Sequence, residues 1–185
     1  MIDGLKKILG YNLCLRLITP EDAEYVHGLR INPLYNTHLS AVTGTEADQR
    51  VWIEAYKTRE GEGREYYYII ERLDGIACGV VRLYEITSDS FTWGSWILDH
   101  NKPAKAALES ALLSFGIGFE RLGLKNVFFD AKRNNTHAIA FYRRLGAVET
   151  SVDDNNVYFE YERNLFMRDR DNHISILQVA NRENK

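Results

Sequence analysis

Asp130-Ala-Lys-Arg-Asn-Asn-Thr-His-Ala-Ile-Ala-Phe-Tyr-Arg-Arg-Leu-Gly-Ala-Val148 is the stretch from which the rest of the chain can be read. It continues a β-branched and aromatic run, Asn126 to Lys132, of the kind that forms a buried strand. Asn134-Asn135-Thr136 follows, offering side-chain acceptors to the unpaired amides of a helix N-terminus. Ala138, Ile139, Tyr142 and Leu145 then recur at helical spacing, and Gly146 suits a left-handed stop. The unit is therefore strand, polar cap, short helix, glycine. Within it, Asn135-x-x-Ala138-x-x-x-Tyr142 sets an asparagine at the cap and a tyrosine about two turns further on.

Composition narrows the field before any motif does. The chain has 185 residues, enough for one domain with a sizeable core, and is 45% hydrophobic and 26% charged. A formal net charge of −3 argues against a nucleic-acid partner, because neutralising phosphates takes clustered Lys and Arg. Cys14 and Cys78 both lie in apolar strand-like runs and read as buried thiols; no metal site is expected from them. No apolar run approaches the roughly 20 residues of a membrane span. Met1 to Gly10 lacks the pattern of a cleaved leader, so a cytoplasmic location without membrane contact is expected.

Taken in order, Leu13 to Ile18 alternates as a strand, and Thr19-Pro20-Glu21-Asp22 opens a helix that runs to about Arg30 before Asn32-Pro33. Leu34 to Gly44 reads as a loop. Thr45-Glu46 begins a second helix to about Arg59, with Val51 and Ala55 inward alongside Trp52 and Tyr56. Glu65–Leu73, Ile76–Tyr84 and Phe91–Leu98 form an antiparallel meander with a turn at Asp74-Gly75. The longest helical pattern, Lys105 to Leu122, carries Leu108, Leu112, Phe115, Phe119 and Leu122 on one stripe. Val157 to Glu162 is the last strand, and Asn164 to Lys185 is a polar tail to which no structure is assigned.

This order of elements, together with Asn135, Tyr142 and the ending Leu145-Gly146-Ala147, resembles the GNAT superfamily of acetyl-CoA-dependent N-acetyltransferases. The resemblance implies an α+β fold: one domain over residues 13–163, with helices around a central mixed, mostly antiparallel sheet that contains a splayed parallel strand pair. Residues 1–12 are then an N-terminal extension and 164–185 a C-terminal tail. It further implies that acetyl-CoA is the cosubstrate and that no metal takes part. The pantetheine arm would lie along Ile97 and Leu98, and the pyrophosphate would sit at Lys102, Lys105, Ala106 and Ala107. The family pattern there is Arg or Gln, two residues, Gly, one residue, then Gly or Ala; here Lys105 stands at the glycine position. By the same resemblance Asn135 touches the cofactor and Tyr142 protonates the departing thiolate, for which a phenol of pKa near ~10 has the right chemistry.

Asp130 is the candidate general base, with Glu85 and His100 as weaker ones. Acceptor contacts are expected from Arg30, Asn32, His38, Ser40 and Tyr84, with Arg30 and Asn32 suited to a phosphate or carboxylate. Leu29-Arg30-Ile31-Asn32-Pro33, Leu39-Ser40, Asp48-Gln49-x-x-Trp52-Ile53 and Tyr66 to Ile70 resemble the branch that acetylates amino groups of nucleotide-linked sugars. A peptide N-terminus as acceptor, and a non-catalytic fold-mate that binds a ligand or partner, are the alternative readings. The aromatic last strand and Ile174–Leu177 leave room for a homodimer.

Overall fold

Alternating and continuous apolar runs pair off into a single sheet in the computed structural model, which describes residues 2–38 and 43–183. β1 (Lys7–Leu9) and β2 (Leu13–Leu17) form a hairpin. Three helices follow: α1 (Ala23–Ile31), α2 (Pro33–Asn36) and α3 (Glu46–Gly61). β3 (Tyr66–Arg72), β4 (Ala77–Tyr84) and β5 (Ser90–Leu98) make the expected meander, with Gly75 at φ +84° in the β3–β4 turn. Next come α4 (Ala106–Gly116), which ends in a wider turn over Ile117–Arg121, then β6 (Asn126–Lys132) and α5 (Thr136–Leu145). β7 (Val148–Val152), β8 (Asn156–Glu162) and α6 (Arg163–Glu183) complete the chain. The strand order is β1-β2-β3-β4-β5-β6-β8-β7, and among the described residues only β5 and β6 run parallel.

Each face of the sheet has its own core. On one side Val26, Leu29, Ile53 and Tyr56 from α1 and α3 pack on Tyr67, Ile69, Val80 and Ile97. On the other side Leu112, Phe115, Ile139 and Tyr142 from α4 and α5 join Phe91, Trp93, Val127, Phe129 and Phe159. Alternation along β6 assigns its faces: Val127, Phe129 and Ala131 are buried, while Phe128, Asp130 and Lys132 are exposed on the side of α1 and α3.

Several local readings change. Along α3, Val51 and Ala55 are exposed, and Gln49, Ile53, Tyr56 and Glu60 are the buried positions, so the inward stripe is turned by about one residue. A 3-10 turn, Pro20–Asp22, precedes α1 and is fixed by Asp22, whose carboxylate accepts from Thr19 N (2.7 Å) and pairs with Arg16. β7 escaped notice because all five of its residues are exposed, so it has no apolar face to mark it. The polar tail is a 21-residue helix, held by Phe166 and Leu177 on one narrow stripe that its charged residues mask. No described helix is long and apolar enough to cross a membrane.

One buried carboxylate joins α4 to the first hairpin. Glu109 is 1% exposed and accepts from Asn12 N (2.8 Å), Leu13 N (3.0 Å) and Asn12 Nδ2 (3.2 Å). Removing it strands two backbone donors away from water. Glu109→Ala is expected to lose about 3 kcal/mol in urea denaturation, while Glu54→Ala on the exposed face of α3 stays within about 0.5 kcal/mol.

Candidate active site

The site begins where two parallel strands part. β5 and β6 are in register at Ser90–Asn126, Phe91–Val127 and Thr92–Phe128, and then separate. Beyond that point Ser95 and Trp96 of β5 together face the single Val81 of β4, a bulge in which Ser95 takes φ +48°. Trp96 leans across to the helices: its Nε1 donates to Ser110 Oγ on α4 (3.1 Å), and its ring stacks on Phe141 of α5 at 5.3 Å and 26°. Trp93 is fixed in the same manner, donating to Ser114 Oγ (2.9 Å). The strands therefore cannot close on each other, and a cleft of about 1010 Å³ opens between them.

The helix after β6 delivers two predicted residues to this cleft. Asn135 Oδ1 accepts from Ala138 N (3.1 Å) and caps α5, while Gly146 ends the helix at φ +93°. Tyr142 lines the cleft on the α4–α5 side and is only 5% exposed. Phe129 (4.8 Å), Phe159 (5.3 Å) and Trp93 (6.0 Å) meet its ring at steep angles. Its hydroxyl makes no hydrogen bond to a described residue. Burial, and secondarily the charge of Asp130, raise this phenol well above its ordinary value.

Asp130 lines the cleft from the opposite face of β6. Its carboxylate keeps contact with solvent, but the cleft walls strip part of its hydration and raise its pKa; Lys132 opposes that shift and Asp153 reinforces it. A phenol that stays protonated and a carboxylate that holds its proton more tightly than usual thus share one cavity.

The turn from β5 into α4 supplies the positive end. Ile97, Leu98, Lys102 and Ala107 line the cleft, whereas the Lys105 side chain and the buried Ala106 do not. Asp99, 3% exposed, anchors this turn by accepting from Tyr25 Oη (2.8 Å) and Asn101 N (2.7 Å). No side chain caps the first turn of α4; Ala106 N donates to Pro103 O (3.3 Å), and the amides of Ala107 and Leu108 are left open to an anion. Lys105 adopts φ +62°, ψ +9°, the backbone conformation for which glycine is the ordinary choice.

Of the acceptor-side candidates, Arg30, His38 and Tyr84 line the cleft. Tyr84 lies against Gly94 of the bulge and beneath the Arg82 guanidinium (4.8 Å), which is itself held by the buried Glu65 (2.8 Å from Nε). Asn32 does not face the cleft: its Oδ1 caps α2 by accepting from Leu34 N (2.9 Å). Ser40 lies outside the described residues. Neither weaker base candidate faces the cleft, since Glu85 accepts from Thr92 Oγ1 (2.7 Å) and His100 shares a hydrogen bond with Tyr35 Oη (3.1 Å). Sequence reasoning missed Tyr35, Tyr67, Trp96 and Phe141 as lining residues. A signal for Trp96 existed, because Gly94-Ser95 inside an aromatic strand marks a bulge; for Tyr67 there was only the resemblance of the run Tyr66 to Ile70, which does not single it out.

A family model described as acetyltransferase (GNAT) domain matches residues 12–148. Among solved structures, one titled "Apo FdhC- a nucleotide-linked sugar GNAT" is 38% identical, covers 89% of this chain and 97% of its own, and has a TM-score of 0.81. A spermidine N-acetyltransferase from Vibrio cholerae, in complex with CoA and spermine, is 17% identical with a TM-score of 0.72, covering 84% of this chain and 98% of its own. A putative ribosomal-protein-serine acetyltransferase from Vibrio cholerae is 19% identical at 0.68, with 84% and 97% covered. The last two likenesses are likenesses of fold. No curated protein matches.

The left-handed Lys105 gives this turn a measurable signature. Lys105→Gly is expected to raise stability by about 1 kcal/mol, since a Cβ there costs roughly that much. Lys105→Ala keeps the Cβ and should leave the denaturation midpoint nearly unchanged; equal gains from both variants would show that the side chain, not the backbone, is the source of strain.

Proposed function

This chain belongs to the GNAT acetyltransferase family, and from that premise we propose that it carries the acetyl group of acetyl-CoA directly to a primary amine on a nucleotide-linked sugar. The chemistry rests on one observation above the others: Tyr142, whose hydroxyl is unpartnered among the described residues, and Asp130, on the opposite face of β6, line the same cleft. The choice of acceptor is supported by the 38% identity to a nucleotide-linked sugar GNAT across 97% of that chain.

In this reading Lys102 and the open amides of α4 hold the diphosphate of the cosubstrate, and its arm runs along Ile97 and Leu98 between β5 and β6, beside Asn135. The acceptor enters from the α1–α2 side, where Arg30, His38 and Tyr84 line the wall. Its neutral nitrogen attacks the thioester carbonyl carbon; a C–N bond forms, the C–S bond breaks, and Asp130 takes the surplus proton from nitrogen. Tyr142 gives its phenolic proton to the leaving sulfur and regains one from solvent. The raised pKa of this phenol keeps it loaded at neutral pH, and the raised pKa of Asp130 makes it a better base than an ordinary carboxylate.

An acyl-enzyme on a cysteine has no support here. Cys14 and Cys78 are both buried, and neither lines the cleft. Burial raises the first thiol and pushes the second up to about 12, so neither offers a thiolate at neutral pH. Lys105, the departure from the family pattern that motivates a non-catalytic reading, preserves the glycine-like turn and so removes the reason for it.

Release of free thiol should require both acetyl-CoA and an amino-sugar nucleotide; release with short peptides instead would move the acceptor to a protein N-terminus. Tyr142→Phe is expected to lower kcat by about 10²-fold while the Kd for acetyl-CoA stays within twofold; undiminished turnover would remove the assigned acid.

The pH profile supplies a separate check. Falling pH protonates Asp130 at a pKa above the ordinary aspartate value, so kcat/KM should fall on an acid limb displaced upward. Asp130→Asn should abolish that limb along with most of the activity, and a limb that persists would assign the base elsewhere.

A further inference from the structure

Tyr67 presents a polar atom that the fold leaves unused. The residue is 2% exposed, and its hydroxyl is shut off from bulk solvent with no hydrogen-bond partner among the described residues, yet it lines the cleft. A buried phenol in that state costs about 1–3 kcal/mol relative to a bonded one. The ring is held edge-on to Trp52 (6.0 Å, 88°) and Tyr56 (6.2 Å, 85°), and its own backbone N–H donates to Tyr56 Oη (2.6 Å). Thus held, it cannot swing out to find water.

Arg30 lines the same wall from the last turn of α1 and makes no ion pair or hydrogen bond to a described residue. Its neighbours are engaged. Tyr35 Oη accepts from His100 N (3.2 Å) and shares a second bond with His100 Nδ1; His38 Nδ1 shares one with Asn134 Oδ1 (3.2 Å). Burial pushes the Tyr67 phenol up to about 12, with the charges of Arg30 and then Arg82 drawing it back, so both guanidiniums lie within Coulomb reach of the hydroxyl. At neutral pH the hydroxyl is therefore a donor, in the same cleft as an unspent guanidinium fork.

We infer that Arg30 and Tyr67 form an anion subsite in the acceptor half of the cleft, which holds the diphosphate of the acceptor during transfer. The choice of diphosphate rests on the nucleotide-sugar reading above; the preference for an anion rests on the two unspent donors. A guanidinium offers a planar fork to phosphate oxygens and the phenol adds a third donor, a set that suits a tetrahedral anion and repels an ammonium. The cleft as a whole agrees, since Arg30, Lys102, Lys132 and Arg144 line it against the single carboxylate of Asp130. A polyamine would meet mostly like charge there. This is also where Asn32, the partner expected for Arg30, is replaced by a residue from a distant strand.

Steady-state kinetics with a varied amino-sugar nucleotide, and binding of inorganic pyrophosphate by calorimetry with CoA present to occupy the α4 turn, test the subsite together. Tyr67→Phe and Arg30→Met are each expected to raise the acceptor KM about tenfold, leave kcat and the acetyl-CoA KM within twofold, and weaken pyrophosphate binding by a similar factor. Because the hydroxyl has no partner in the fold, Tyr67→Phe should melt at or above the wild-type temperature. A lower melting temperature would make the hydroxyl structural and overturn the proposal. Turnover of sugar nucleotides with an unmoved acceptor KM would overturn the subsite and leave the proposed reaction standing. Absent turnover of any sugar nucleotide, with pyrophosphate binding that both variants weaken, would retain the subsite and overturn the acceptor; binding that neither variant weakens would overturn the subsite as well.

Discussion

A parallel ladder that stops after three residue pairs is the constraint on which this molecule turns. Separated strands leave backbone amides and carbonyls without partners, an arrangement that persists only where the surroundings forbid closure. Here the prohibition is steric. The bulge at Ser95–Trp96 re-aims β5, and Trp96 is then tied to α4 through Ser110 and to α5 through Phe141. Two helices thus wedge the strands apart. The backbone groups along the gap become available to an extended ligand in the way a sheet edge is available to a further strand.

The wedge also explains why Tyr142 and Asp130 have opposite surroundings. Adjacent faces of one strand differ: Phe129 belongs to the aromatic core around Tyr142, whereas Asp130 points to the side that α1 and α3 leave open. Alternation along β6 thereby sets Asp130 and the Tyr142 cage on opposite faces of one strand, as the proposed base and acid require. The aromatic cage desolvates the phenol strongly, and the open face desolvates the carboxylate in part, so both pKa values move upward from a single cause.

What the sequence discloses follows from how local each feature is. Asn135, Tyr142 and Gly146 lie within twelve residues, and their roles in cap, core face and stop follow from helix geometry alone, so they were legible at once. The antiparallel meander was legible for the same reason, from its turns and short periods, whereas the parallel pair beside it came from the family resemblance. Asn32 misled because a cap and a ligand contact call for the same side chain at the same place, and the local use prevailed. The helix at the C-terminus was hidden because its buried residues, Phe166, His173 and Leu177, are few among charges. Tyr67 was illegible for the opposite reason. Its strand reads as a run of tyrosines and isoleucines, and nothing local distinguishes a hydroxyl that lacks a partner from its neighbours.

The donor and acceptor halves differ in kind as well as in legibility. In the proposed reading the donor half uses backbone, in the amides of α4 and the gap between strands, and asks of Lys105 only its left-handed backbone conformation. The proposed acceptor half uses side chains brought together from α1, α2, β3 and β4, of which all but Arg30 are held by neighbours: Tyr35 by His100, Tyr84 by Arg82 and Gly94, Tyr67 by Tyr56. A backbone site presents the same groups whatever the sequence, whereas a side-chain site changes with each substitution. It follows that the 17% likeness, which is one of fold, says nothing of these side chains, and the proposed acceptor draws on the 38% identity instead.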